Sequence, residues 1–513
     1  MPPGLAQKSL SKSIEMKKLT RASANIPAAL PPRILQFGGG NFLRGFVDWM
    51  VDIFNEKTGA QFGIIVVKPT ASGSYEKWAS QNGLYHLRTR GIRGGAMVDE
   101  TRLVTCINRI INPYDNWAAF LKTAEDPGLR FVVSNTTEVG LRNSPADRFT
   151  DAPPSEFPAK LTCWLHRRFV HFGGDGAAGC ILLPCELLEK NGDLLRRLVL
   201  ENADRWQLGA GFTDWVTAHC IFCNTLVDRI VPGLAGEALE AFQTAIGYRD
   251  EMATEGEPYH LWAIEAPEQV RHELPLDSAG LNVVFTDDLT PFRTLKVRIL
   301  NGAHTAMMPV GFLAGLETVG EVMANERLSS FVNALIFNEI IPTLGLPEAD
   351  AVRFANDVLD RFRNPYVRHR LLTISLQSVS KWRVRLLPTL AGYFGQNGLL
   401  PERVVFSLAA LCWFYSSHQT CLAGSTASLP NKFGGYNWQP NDELEVVDFF
   451  KNEWAAFAVS NDYGLLAANV LRSEKCWGAD LAGQYAKLPE RLSFYLKEIG
   501  ESGVALGLER NGL

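Results

Sequence analysis

The sequence predicts an α/β chain of two domains, a mainly parallel β-sheet unit with helices on both faces followed by a mostly α-helical unit. Three observations carry that prediction. Short apolar runs recur at 34–37, 64–67, 131–133, 181–183 and 283–285, with helical segments between them, and such alternation marks βαβ units. After Asp287 strand candidates become scarce, and long helical patterns take over at 328–344, 349–362 and 404–416. A chain of 513 residues exceeds one hydrophobic core, so a boundary near residue 286 divides it into 31–286 and 287–513.

Residues 1–30 carry Lys8, Lys12, Lys17, Lys18 and Arg21 without a hydrophobic run and read as a flexible N-terminal extension. The first strand, Arg33-Ile-Leu-Gln-Phe37, runs into Gly38-Gly39-Gly40. Phe42, Leu43, Phe46, Val47, Met50, Val51 and Phe54 then recur at helical spacing. Strand, glycine turn and helix open a Rossmann-type dinucleotide-binding unit, in which amides at the helix start hold a pyrophosphate. Gly38 permits the tight turn and Gly40 the close approach of a phosphate. Leu43 stands where the usual fingerprint has its third glycine, so the motif alone is read equally well as a plain glycine turn. The second strand ends on Lys68-Pro69-Thr70, where an NAD site ordinarily places Asp or Glu on the ribose hydroxyls. Lys68 can instead meet the extra phosphate of NADP, the ribose or solvent.

The second domain opens on Thr290-Pro291, an N-cap hydroxyl followed by the imino acid that the first helical position tolerates. The helix then reads Lys296-Val-Arg-Ile-Leu-Asn301-Gly-Ala-His304. At about 100° per residue, Lys296, Asn301 and His304 fall within an arc of roughly 140° and can share one wall of a pocket. Lys296 and His304 are roughly 12 Å apart along the axis, so the lysine must use its flexible stem. Gly302 costs helix stability, which points to close packing beside Asn301. Apolar neighbours favour the neutral amine that a general base requires. Asn301 can donate to an oxygen gaining negative charge, and His304 can orient it. The same spacing also fits a surface lysine, a helix-satisfying asparagine and a core histidine.

The patterns Gly38-x-Gly40-x-Phe42-x-Arg44 and Lys296-x-x-x-x-Asn301-x-x-His304 do not stand alone. With them come Ser134-Asn-Thr-Thr-Glu138, Pro184-Cys-Glu186 leading to Asn191-Gly192, Thr225-Leu-Val-Asp228-Arg229 and Arg363-Asn-Pro-Tyr366. From about residue 31 to about residue 420 the sequence resembles the polyol-specific long-chain dehydrogenase family, also called the mannitol dehydrogenase family. Within it the likeness is strongest to members acting on hexuronates. The resemblance implies a metal-independent, NAD(H)-dependent hydride transfer between tagaturonate and altronate, with fructuronate or mannitol oxidation as sister activities. A nucleotide-binding sensor without turnover is the reading from another class.

The resemblance also implies roles. Lys296 matches the family's general acid/base, Asn301 and Asn191 the asparagines that steady the reacting oxygen, and His304 the substrate-orienting histidine. Asp228 and Lys381 match positions lining the substrate pocket. Phe37, Gly38, Gly39, Gly40, Asn41, Phe42 and Arg44 fall on the cofactor loop, with Asn135, Thr136 and Glu138 on the nicotinamide side. Polyol-specific members carry an arginine eight residues before Lys381, where this chain has Thr373. A hexuronate adds a carboxylate that needs a cation, for which Arg368, Arg370 and Lys381 are candidates. The site is expected in a cleft between the domains, and Met16 begins a stretch of the length the family carries before its first strand.

Composition narrows the classes. Fifty basic against 55 acidic residues leave a formal charge of −5, which argues against a dedicated nucleic-acid binder. The longest apolar run, around 408–415, is too short to span a bilayer. Nine cysteines at irregular spacing read as reduced thiols of a cytoplasmic protein. His219-Cys220-Ile-Phe-Cys223 is a weak metal signal, lacking a second pair, and no metal is expected. Oligomeric state is left open.

Overall fold

The computed structural model describes residues 16–136, 139–416 and 438–513. The chain divides into two compact units, Met1–Arg90 with Asp99–Leu289, and Gly91–Val98 with Thr290–Leu513.

The first unit is organised by six parallel strands: β1 (Pro32–Phe37), β2 (Gly63–Val67), β3 (Ile107–Ile111), β4 (Phe131–Ser134), β5 (Ile181–Pro184) and β6 (Ile221–Phe222). Their order across the sheet is β3-β2-β1-β4-β5-β6. Both faces are covered, which is why the strands are near-continuous apolar runs rather than alternating ones. The period of two still sorts the side chains. Ile34, Ile64, Val66, Phe131 and Val133 enter one core with Met50, Val51 and Phe54 of α1 (Trp49–Thr58). Leu35, Ile65, Val67, Val132 and Leu182 enter the other with Leu161, Trp164 and Leu165 of α2 (Phe157–His171) and Leu195 and Val199 of α3 (Asn191–Arg205). The order reverses between β1 and β4, which opens a crevice at their carboxyl ends, the place where sheets of this kind bind ligands.

Three features of this unit depart from the sequence reading. The run at 283–285 lies outside the main sheet. It is the edge of a separate three-stranded sheet, β7 (Asn224–Asp228), β8 (Leu261–Glu265) and β9 (Val283–Thr286), with an antiparallel and a parallel pairing. A ribbon of Tyr85–Arg93 and Ala96–Val104, whose tip Gly91–Val98 belongs to the second unit, turns at Gly94 and Gly95, both with positive φ. Residues 17–30 are also not a flexible extension. Lys17–Lys18 pairs in parallel with Tyr248–Arg249, Leu19 is fully buried, and the Arg21 guanidinium donates to the carbonyls of Thr105 at 2.8 Å and Ile107 at 2.9 Å. Lys8 and Lys12 lie outside the described residues.

The second unit is helical. Its elements include α4 (Thr290–Leu295), α5 (Gly302–Leu313), α6 (Glu348–Phe362), α7 (Ser378–Arg385), α8 (Glu402–Phe414) and α9 (Leu488–Asn511). Every residue of α5 is buried, as expected of a helix that is apolar all round and sits at the centre of its unit, packed by α7 and α8. Between α4 and α5 the chain forms a π-turn, Lys296–Asn301, rather than a continuous α-helix.

Candidate active site

At the carboxyl end of β1, Gly38 holds φ at +117°, and a Cβ there would lie 3.0 Å from the carbonyl oxygen of Asn135. Gly39 is the most confined of the three glycines, since a Cβ would meet the Trp78 ring at 2.6 Å. Gly40 faces open space and precedes the first helical turn, whose amides have no acceptor within the helix. This is a cradle that an anionic group can approach closely. Asn135 is hydrogen-bonded into place, its amide N–H to the Phe37 carbonyl at 3.1 Å and its side chain to the Cys185 carbonyl at 2.7 Å. Glu186, buried and pushed upward in pKa by that burial, accepts from Ser134 Oγ, Thr136 N and Thr136 Oγ1, and so ties the end of β4 to the loop after β5.

Several expected cofactor contacts are turned inward. The Phe37 ring sits in the core against Phe120 and Phe157. Phe42 stacks on Phe46 at 4.9 Å. Arg44 is buried, donates to Asn41 Oδ1 at 2.6 Å and to the Met252 carbonyl, and lies over the Trp78 and Tyr85 rings. It braces Asn41 from beneath the loop. Lys68 is 5% exposed, donates to the Ala71 carbonyl at 2.9 Å and lies 5.8 Å from the Tyr114 ring. Glu138 lies outside the described residues.

Arg44 opens a second π-turn, Arg44–Asp48, which ends on a fully buried carboxyl. Burial raises the Asp48 pKa to about 7, against hydrogen bonds from Gln36 and Tyr85 and the charge of Arg44. A folded-state pKa above the unfolded one favours folding most below about pH 4, and that stability is lost as pH rises towards 7. The Asp48→Asn variant is therefore expected to gain in melting temperature over wild type as pH rises from 4 to 7, with the difference levelling off above 7. Thermal melts of both proteins across that range check this. A difference that does not change with pH would sink the account.

Asn191 opens α3 and is completely buried. Its side-chain N–H groups donate to the carbonyls of Pro184, Glu186 and Thr225 at 3.0–3.2 Å, while its Oδ1 accepts from Thr225 N at 2.9 Å. Both amide hydrogens are thus spent on the protein. In this structure Asn191 joins β5, α3 and β7 instead of presenting a donor to substrate. Asp228, at the carboxyl end of β7, is 7% exposed.

In the second unit the π-turn changes the helical geometry on which the sequence reading rested. Hydrogen bonds from i to i+5 narrow the angle between residues five apart relative to α-helical spacing, which brings Lys296 and Asn301 closer to one face. π-Turns of this kind concentrate at functional sites. The Asn301 side chain makes no hydrogen bond among the described residues, although its carbonyl accepts from Thr305 Oγ1 at 2.8 Å. Gly302 is not needed for close packing, because a Cβ would find its nearest neighbour at an ordinary 3.6 Å.

His304 is buried, and its Nε2 has no hydrogen-bond partner among the described residues. Its ring lies 4.5 Å from that of Phe362 and 4.8 Å from that of His369. Burial, then His369, Arg361 and Arg385, hold its pKa well below the usual histidine range. It is neutral at neutral pH, with an orphaned ring nitrogen ready for a hydroxyl. Lys381 Nζ donates to the Ile374 carbonyl at 3.1 Å, and burial lowers its pKa, as does Arg385. Arg368 is mostly exposed and pairs with Glu317 at 3.2 Å, as Arg370 does at 4.0 Å. Such surface pairs hold little free energy.

Among the described residues no group of His, Cys, Asp and Glu could hold a metal ion, and no helix is long and apolar enough to cross a membrane. Cys220 and Cys223 are buried, and burial raises the Cys223 thiol to about 12.

Two family models match the chain: the mannitol dehydrogenase Rossmann domain over residues 32–278 and the mannitol dehydrogenase C-terminal domain over 288–424. The altronate oxidoreductase of Bacillus subtilis is 41% identical over 495 residues, 96% of this chain and 98% of that protein. The altronate oxidoreductase of Cronobacter sakazakii is 46% identical, covering 78% of this chain and 83% of that one. Among solved structures, a D-sorbitol dehydrogenase in substrate-free form aligns with a TM-score of 0.76 at 23% identity, over 96% of this chain and 99% of that chain. The mannitol 2-dehydrogenase of Pseudomonas fluorescens, in a ternary complex with NAD and D-mannitol, aligns at 0.61 and 21% over the same shares. At that level of identity the solved structures speak to fold.

Proposed function

The chain belongs to the mannitol dehydrogenase family, and from that premise we infer that it is an NAD(H)-dependent oxidoreductase interconverting tagaturonate and altronate. The observation that carries the substrate is the 41–46% identity to altronate oxidoreductases over most of the chain. Thr373, in place of the arginine of polyol-specific members, agrees with that choice.

The glycine cradle and the free first-turn amides suit a dinucleotide pyrophosphate. Lys68 is occupied by the Ala71 carbonyl and Tyr114, which supports NAD over NADP. When bound, the nicotinamide supplies or takes the hydride. The protein supplies the rest. In reduction, the Asn301 amide donates to the keto oxygen as charge builds on it. The Lys296 ammonium delivers the proton that completes the alcohol. Neutral His304 meets a substrate hydroxyl through its unpartnered Nε2, which fixes the sugar chain against the helix. In oxidation, the Lys296 amine accepts the alcohol proton. Asn191 and Arg44 act as positioning residues. Free, buried thiols fit a reducing, cytoplasmic setting.

Loss of NADH absorbance with purified protein tests the reading. Turnover is expected with tagaturonate and NADH, and little with fructose or with NADPH. Turnover with another ketose alone moves the enzyme to a sister activity. Silence with every substrate leaves a nucleotide-binding sensor.

A further inference from the structure

The structure assigns to Arg385 the carboxylate of the hexuronate, with Lys381 one turn earlier on α7 as the supporting cation; this rests on the hexuronate reading above. Arg385 closes α7 and lies against the start of α5, where its Nη1 donates to Thr305 Oγ1 at 3.1 Å and approaches the Asn301 carbonyl at 3.5 Å. A guanidinium offers five N–H groups. The three on Nε and Nη2 have no partner among the described residues.

The charge of Arg385 is likewise uncompensated. It is half-buried, burial works against its ionised form, and no carboxylate pairs with it among the described residues. Its charge bears on His304 and Lys381. Asp442, whose charge bears on Lys381, accepts from Tyr415 Oη, Val379 N and Glu443 N. A partly desolvated cation without a counter-ion is costly, and an arriving carboxylate relieves that cost through a two-pronged contact.

The spacing fits the substrate. In tagaturonate three carbinol carbons separate the carboxylate from the keto carbon. Asn301 and Thr305 are four residues apart, about 6 Å along the axis at 1.5 Å per residue. A keto oxygen at the Asn301 amide therefore sets the carboxylate near the guanidinium seated on Thr305. Arg368 and Arg370, the earlier candidates, face solvent and are already paired with Glu317. Arg298, also half-buried, spends its Nη2 on the hydroxyls of Thr343 and Thr389.

The experiment compares wild type, Arg385→Gln and Arg385→Lys in steady-state kinetics with tagaturonate and NADH. It adds competitive inhibition by altronate and a fluorescence titration of NADH. Arg385→Gln is expected to raise the tagaturonate KM and the altronate inhibition constant together by about 30- to 100-fold. Its kcat should fall less, and its NADH affinity should match wild type. Arg385→Lys should fall between, since lysine keeps the charge and loses the fork. A tagaturonate KM within threefold of wild type in Arg385→Gln overturns the assignment. If that variant fails to fold, a wild-type KM in Arg385→Lys overturns it instead. Wild-type protein inactive on both tagaturonate and fructuronate refutes the hexuronate reading itself, whatever the variants do.

Discussion

Replacing Lys296 with alanine is expected to lower kcat by about 10³- to 10⁴-fold, the upper range for a lost proton-transfer group. The dissociation constant for NADH should stay near the wild-type value, because Lys296 stands in the π-turn of the helical unit while the glycine cradle belongs to the sheet unit. Steady-state rates and a fluorescence titration read the two quantities separately. Added primary amines should restore part of the turnover in the alanine variant, since they can enter the space the side chain leaves. Undiminished kcat would remove Lys296 from the chemistry. Lost NADH affinity would instead make its role structural.

The second large effect belongs to Asn301. Its side-chain amide has no partner among the described residues, while its backbone carbonyl carries the local hydrogen bonds from Thr305 and Arg385. Asn301→Ala therefore deletes the donor and leaves the framework. Loss of one preorganised donor to a developing oxyanion costs about 10²- to 10³-fold in kcat. The loss should appear in kcat and kcat/KM alike, because the bond strengthens as charge builds on the oxygen. A rise in KM with kcat intact would instead make Asn301 a ground-state contact.

The sequence was most legible where both faces of an element are buried. Parallel strands covered on two sides must be apolar throughout, and the runs at 34–37, 64–67, 131–133 and 181–183 match β1, β2, β4 and β5 to within two residues at each end. Half-exposed strands were not legible. The ribbon at 85–104 reads as Tyr-His-Leu-Arg-Thr-Arg and Met-Val-Asp-Glu-Thr-Arg, with charges throughout and no clean alternation. β3 hides for the same reason, with Asn108 and Arg109 inside it.

At the candidate site, residue types were visible and directions were not. Lys296, Asn301 and His304 were readable from their spacing, yet the π-turn that narrows the angle between the first two breaks the 3.6-residue period on which the reading depended. Asn191 and Arg44 match the family's motifs, but whether an amide or guanidinium faces outward or inward depends on carbonyls from distant segments, those of Thr225 and Met252 among them. Arg385 carries no motif. Its meaning comes from Thr305, 80 positions away, and a stretch rich in arginine such as Lys-Trp-Arg-Val-Arg reads as a solvated face until that contact is known. Glu186 lay within a recognised stretch, but its grip on Ser134 and Thr136 has no local signature.

The buried thiols have a use unrelated to chemistry at the site. All eight described cysteines are free and buried, six in the sheet unit and two, Cys412 and Cys476, in the helical one. Burial holds them as inert thiols, so an alkylating reagent can reach them only when the surrounding structure opens. The molecule thus carries a chemical recorder of its own fluctuations, with separate channels for its two halves. Peptide mapping after timed alkylation would show which half opens first under heat or denaturant, with no substitution in the sequence.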